Sequence, residues 1–258
     1  MLHNRSELIT ARRVVVKVGS TSITGANEHK IDKIVDALAA AHKRGQEVIL
    51  VTSGAIATGL PLLNMDARSD DLATNQALAS VGQGRLIYRY QQSLERHGII
   101  AGQVLLTAQD LEGEETRENA KRAMERLLSL RVIPIVNEND TVATAEIRFG
   151  DNDRLAALVA VLVDANGLIL LSDVDALYDM PPSKADAKRI ETVEYGQNLD
   201  DIEIGGSASS VGTGGAVTKV SAAQVAGDAG VAVLLTSSDL VNEALSGQSI
   251  GTWFKAKG

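Results

Sequence analysis

The sequence contains no cysteine. That excludes a disulfide framework, a thiolate metal site and a cysteine nucleophile, and it fits a reducing compartment. Aromatic residues make up only 3% of the chain, too few for the stacking platforms that grip single-stranded nucleic acid. Long apolar runs are absent. The longest, Leu155–Val163, has nine residues, against the ~20 that a membrane-spanning helix needs. The N-terminal MLHNRSELITARR is charged and has no apolar core, so no secretory signal is expected and a cytoplasmic protein is. Positive charge is in short supply, with 25 basic against 33 acidic residues and a net charge of -8. A nonspecific grip on nucleic acid or anionic lipid is therefore disfavoured. A locally positive site for a small anion is not. The four histidines (His3, His29, His42 and His97) all lie away from the ends of strand-like runs, so a histidine-based acid–base or metal site is not expected.

Along the 258 residues, apolar runs of strand length alternate with helical patterns, in a length that fits one large domain or two small ones. The patterns predict strands at Arg13–Val18, Glu47–Thr52, Ile99–Leu106, Val132–Val136, Leu168–Leu171 and Val231–Leu235. They predict helices at Ile31–Arg44, Glu115–Leu130, Asp153–Leu162 and Thr218–Ala229, with Asp70–His97 as one long helix or two short ones. Repeated strand–helix–strand order with near-continuous apolar strands implies a parallel sheet covered on both faces. Tyr178–Lys188 holds two of the four prolines and reads as irregular, and Gly205–Gly215 is Gly/Ser-rich and reads as mobile. The expected organisation is a single domain, 1–258, with a soft lobe boundary near residue 165.

In an open parallel sheet, ligands collect beyond the carboxyl ends of the strands. Lys17 lies in a run of valines, and Gly19-Ser20-Thr21-Ser22 follows it. It is either a cation aimed at phosphate or an edge lysine snorkelling to water. Ser53-Gly54 precedes a small-residue helix, as an anion-binding N-terminus or a plain cap. Asn137-Glu138-Asn139-Asp140 leaves the strand VIPIV as more polar residues than a turn requires. Gly150-Asp151-Asn152-Asp153 opens an apolar helix, and one cap explains one of these residues, not three. Ser172-Asp173 ends another strand, and Gly212-Thr213-Gly214-Gly215-Ala216-Val217-Thr218-Lys219 opens the last long helix. The last run is either a flexible loop with a surface lysine or a backbone cradle for phosphate; its spacing is not that of a Walker A loop. A carboxylate attacking ATP is already ionised at neutral pH and needs no general base, which suits a strand-end set without histidine.

Taken together, KVGSTSIT, VTSGAIATG, NENDTVAT, GDNDRLAALVA, LLSDVDALY and GTGGAVTK, in that order, resemble the glutamate 5-kinase branch of the amino acid kinase family. The resemblance implies an α/β fold, a three-layer αβα sandwich around a mostly parallel sheet of about eight strands. It implies an amino-acid-binding lobe, 1–165, and a nucleotide-binding lobe, 166–258. The implied reaction converts L-glutamate and ATP, accompanied by Mg²⁺, to L-glutamyl 5-phosphate and ADP, the first step of proline biosynthesis. Lys17 then matches the lysine that stabilises the transferring phosphoryl group, Lys219 the lysine on the nucleotide side, and Asp153 the aspartate that organises both. Ser53, Asp140 and Asn152 match glutamate-binding positions. Lys17, Ser172, Asp173, Thr213, Gly214, Gly215, Ala216, Val217, Thr218 and Lys219 match nucleotide-binding positions. No metal ligand is implied. The family leads one to expect a homo-oligomer, dimer or tetramer, functional coupling to glutamyl phosphate reductase, and neither nucleic acid nor membrane as partner. Many members carry a further C-terminal PUA domain, which would begin near Gly251-Thr252-Trp253-Phe254; a short form without it is expected here. Residues 179–186 depart from the usual family loop in a stretch tied to adenine contact, and feedback inhibition by proline is a property of the family. The alternatives are a sister kinase and a nucleotide-binding regulator that has lost turnover. Acetylglutamate kinases usually place Gly-Gly after the first lysine, whereas Gly19-Ser20 stands here; a silent regulator would be expected to lose a charged residue among Lys17, Asp153 and Lys219, all present.

Overall fold

In strand β1 (Arg13–Val18) successive side chains point to opposite faces of the sheet. Val14, Val16 and Val18 enter one hydrophobic core and Val15 the other. The same split occurs in β2 (Glu47–Val51), β4 (Ile133–Glu138), β5 (Gly167–Ser172) and β9 (Ala232–Ser237). Strands apolar on both faces need a helical layer on each side. One layer is formed by α1 (Lys30–Lys43), α3 (Leu72–Glu95) and α8 (Val241–Leu245). The other is formed by α5 (Glu114–Ser129), α6 (Asn152–Leu162) and α7 (Ala216–Asp228). The computed structural model describes residues 1–143, 152–180, 184, 186–199 and 215–258.

With β3 (Ala101–Leu106), β8 (Thr192–Val193) and β10 (Thr252–Phe254), the strands form one eight-stranded sheet in the order β3-β4-β2-β1-β5-β9-β10-β8. All pairings from β3 to β9 are parallel, while β10 runs antiparallel to β9 and parallel to β8. This is the mostly parallel αβα sandwich the sequence led one to expect. The chain steps from β1 to β2 on one side and reaches β5 on the other through α6. That reversal leaves a crevice beyond the carboxyl ends of the central strands, around β1.

The structure revises several element readings. Asp70–His97 is one helix, α3, capped by the Asp71 carboxylate accepting from Thr74 N–H at 2.8 Å. A short helix, α4 (Ala108–Glu112), precedes α5 and is closed by a capping box between Thr107 and Asp110. Strand β4 continues through Asn137 and Glu138, because β3 pairs with both as Leu105↔Asn137 and Leu106↔Glu138. The stretch read as irregular begins and ends in a ribbon: β6 (Leu177–Tyr178) pairs antiparallel with β7 (Arg189–Ile190). Asp179 ties the two arms, donating N–H to Lys188 O at 3.0 Å and accepting from Lys188 N–H at 2.8 Å. Trp253 and Phe254, read only as the place where a further domain would begin, form β10 and bury themselves in opposite cores.

Candidate active site

Lys17 shares a strand face with Val15, so it points toward the layer that contains α6. α6 starts at Asn152, which puts Asp153 in its first turn, where the helix dipole favours a carboxylate. Lys17 Nζ lies 2.5 Å from Asp153 Oδ1, and Lys219 Nζ, from the first turns of α7, lies 3.0 Å from Oδ2. Asp153 is wholly buried, and the lysines are only 4% and 8% exposed. Burial by itself would push the Asp153 carboxyl up; the Lys17 and Lys219 ammonium groups override it and hold it far below the usual carboxylate range. Two cations face one anion, so the trio carries a net positive charge suited to an anionic ligand. Thr218 Oγ1 stands 3.4 Å from Asp153 Oδ2 and donates to Gly215 O at 2.8 Å. Asp153 is therefore an ion-pair centre rather than a plain helix cap.

The second wall is α2 (Ala55–Leu62). Its N-cap, Gly54, has φ +101° and makes no side-chain cap, so Ser53 is not the capping residue that a Ser-Gly pair suggests. A β-carbon at Gly54 would stand 3.0 Å from Thr24 Cγ2, so the β1–α1 and β2–α2 connections pack together here. Behind it α2 crosses α3 in close contact, and a β-carbon at Gly82 would fall 1.8 Å from Ala55 O. The N-terminus of α7 also lacks a side-chain cap at Gly215. Helix starts of this kind offer backbone N–H groups to anions.

Between these walls runs a buried polar network. Asn152 Nδ2 donates to Thr52 O at 2.6 Å and to Asn137 Oδ1 at 2.7 Å. Asn137 Oδ1 also accepts from Glu138 N–H at 2.9 Å, and Asn137 Nδ2 donates to Gln83 Oε1 at 2.7 Å. Thr52 Oγ1 and Tyr90 OH lie 3.0 Å apart, and burial drives the Tyr90 phenol upward from its ordinary value. Asn152 therefore uses both amide hydrogens inside the protein, which leaves its Oδ1 as the atom available to a ligand.

The structure brings Lys17, Asp153 and Lys219 into one cluster. Ser53 and Asp140 are half-buried at the ends of β2 and β4. Ser172, at the end of β5, is buried and donates to the exposed Asp173 at 2.9 Å. Gly215, Ala216 and Thr218 are half-buried at the start of α7, and Val217 is exposed. Thr213, Gly214, Gly150, Asp151 and residues 205–212 lie outside the described residues, and with them the reading of 205–215 as mobile. Among the described residues, no three His, Cys, Asp or Glu side chains stand together as a metal cage, and no helix is long and apolar enough to cross a membrane. Sequence reasoning missed Gln83 and Tyr90. They sit mid-helix, seven residues apart, with nothing local to separate them from core positions.

Residues 12–237 match the model of the amino acid kinase family. The chain is 64% identical to a glutamate 5-kinase of Clavibacter michiganensis subsp. michiganensis over 99% of its length and 98% of that protein's. It is 62% identical to one from Leifsonia xyli subsp. xyli, over 98% of this chain and 94% of the relative. A glutamate 5-kinase of Salinispora arenicola is 53% identical over 97% of this chain, which spans 69% of that protein. Among solved structures, a carbamate kinase from Giardia lamblia bound to AMP-PNP superposes with a TM-score of 0.71 at 15% identity, over 96% of this chain and all of the other. That last likeness speaks for the fold, and the sequence matches for descent. With the family pattern running through both walls of the crevice, this chain belongs to the amino acid kinase family.

Proposed function

We propose that this protein transfers the γ-phosphoryl group of ATP to the γ-carboxylate of L-glutamate, giving L-glutamyl 5-phosphate and ADP at the entry to proline biosynthesis. The observation that carries this reading is the Lys17–Asp153–Lys219 cluster at the switch point of a chain so similar to glutamate 5-kinases. A carboxylate oxygen attacks the γ-phosphorus, the bond to the bridging β–γ oxygen breaks, and that oxygen leaves with the electron pair as part of ADP. The attacking group is ionised at neutral pH, so no base is needed. The work left to the protein is alignment and charge neutralisation. Lys17 meets the transferring phosphoryl group, Lys219 the nucleotide side, and Asp153 keeps both ammonium groups aimed through charge-assisted bonds.

In this reading the lobe 1–165 holds glutamate through Ser53, Asp140 and Asn152, and the lobe 166–258 holds ATP through Ser172, Asp173 and residues 213–219. Mg²⁺ arrives on the phosphate oxygens of ATP, consistent with its habit of keeping water and substrate phosphates as ligands, and it adds to charge neutralisation there. The protein works in the cytoplasm as a homo-oligomer. Its acyl phosphate product cyclises readily, so activity is coupled to a glutamyl phosphate reductase. Steady-state ADP release with glutamate, N-acetylglutamate, aspartate, carbamate and UMP as acceptors tests the assignment. Release only with glutamate is expected. Preference for another acceptor would move the chain to a sister activity, and ATP binding without turnover on any acceptor would make it a silent regulator.

Asp140 supplies the specificity test. Free glutamate presents an α-ammonium, which needs a carboxylate or carbonyl acceptor. Truncating one side of a desolvated charge pair costs about 2–5 kcal/mol, and about 1.4 kcal/mol is one decade. Asp140→Asn should therefore raise the glutamate KM by roughly 30-fold to several thousand-fold and leave the ATP KM nearly unchanged. Equal changes in both KM values, or none for glutamate, would remove Asp140 from the acceptor site.

A further inference from the structure

We propose that Gln83 is a positioning residue for the acceptor, acting through Asn137 on Asn152. The inference rests on the glutamate reading above and adds a residue that no strand-end pattern reaches. The hydrogen bonds form a ring that starts and ends on one face of α3. Gln83 Oε1 accepts from Asn137, Asn137 Oδ1 accepts from Asn152, Asn152 donates to Thr52 O, and the Thr52 hydroxyl meets Tyr90, two turns along α3 from Gln83.

The polarity of the ring is set by two backbone groups that have no choice of role. Thr52 C=O only accepts, so Asn152 must turn its NH₂ inward; Glu138 N–H only donates, so Asn137 must turn its Oδ1 toward it. Asn137 Nδ2 then points at α3, where it needs an acceptor, and Gln83 Oε1 is that acceptor at 2.7 Å. Asn137 is 1% exposed, so its amide has no water to turn to if Gln83 fails. Each amide thus fixes the next, and the end of the chain is Asn152 presenting Oδ1, an acceptor. Asp153, the next residue, is held independently by two lysines. A fault that starts at Gln83 should therefore reach acceptor binding before it reaches phosphoryl transfer.

The experiment compares three variants with the wild type, measuring kcat, both KM values and Tm. Gln83→Met keeps the length of the side chain and removes the acceptor. It should raise the glutamate KM about tenfold, the equivalent of about 1.4 kcal/mol, with the ATP KM within twofold and kcat within threefold. Gln83→Glu restores an acceptor and should bring the glutamate KM back to within threefold of wild type. Tyr90→Phe keeps the packing and touches only the Thr52 hydroxyl, not the carbonyl that holds Asn152, so its glutamate KM should stay within threefold. Three results would overturn the inference: equal rises in both KM values with Gln83→Met, no rescue by Gln83→Glu, or a rise with Tyr90→Phe as large as that with Gln83→Met. The last would mean general loosening of α3. The wild-type arm tests the glutamate reading separately. If the wild type turns over another acid instead, that reading falls, and the same comparison is made with the acid it does use.

Discussion

Lys17→Met is expected to lower kcat by about 10²–10³-fold, the range for losing one preorganised charge-stabilising donor. Both KM values should stay within a few-fold, because the lost interaction grows as charge develops on the transferring group. Methionine is the informative replacement. Lys17 stands in a wholly buried strand, and its aliphatic stem packs on the face that holds Val15. Methionine keeps that stem and removes only the ammonium. Asp153 remains paired with Lys219 at 3.0 Å, so the core is not left with a lone charge. Single-turnover and steady-state kinetics at saturating ATP and glutamate are the measurement. A variant with kcat near wild type would take Lys17 out of the mechanism and leave it a structural partner of Asp153.

Asp153→Asn should cost both activity and stability, in a way that separates its two roles. The substitution keeps the shape and removes the charge between two nearly buried ammonium groups. Breaking such a set costs about 3–5 kcal/mol, and at about 2–4 °C per kcal/mol the Tm should fall by on the order of 10 °C with the protein still folded at 25 °C. kcat should fall by roughly 10²-fold or more as both lysines lose their aim. A nonhydrolysable ATP analogue should then raise the Tm of the variant by more than that of the wild type, because the variant has lost one negative charge beside the ammonium groups that meet its phosphates.

The same pair of proteins gives a pH test. The folded-state pKa of Asp153 is depressed below its unfolded value. Its contribution to stability is thus fully present above the unfolded carboxylate pKa of about 3.9, and is lost as pH falls below that toward the folded value. The Tm gap between wild type and Asp153→Asn should be constant from about pH 5 to 7 and narrow below about pH 4. A gap that does not change with pH would show that the loss of stability does not come from removing the Asp153 charge.

The sequence by itself determined the layers, and it pointed to the chemistry only through its resemblance to the amino acid kinase family. Valines at 14, 15, 16 and 18 require a strand covered on both faces, and the recurrence of such runs with helices between them requires a parallel sheet. The strand-end polar runs marked Lys17, Asp153 and Lys219 as candidates, since a lysine among valines is costly unless something meets it, and the family resemblance supplied their roles. The tertiary structure decided what met them. Residues 17, 153 and 219 are far apart in the chain, and only the order β2-β1-β5, with α6 crossing over β1, puts both ammonium groups within 3.0 Å of the Asp153 carboxylate. It also decided that Asn137 and Glu138 stay in β4, because register with β3 is a property of two strands and not of one. Trp253 and Phe254 became a sheet strand because β9 and β8 had edges to offer. Gln83 was beyond local reading for the same reason. A polar side chain inside a helix carries no mark of what it will face, and its partner Asn137 lies 54 residues away, on a strand that the sheet order places beneath α3.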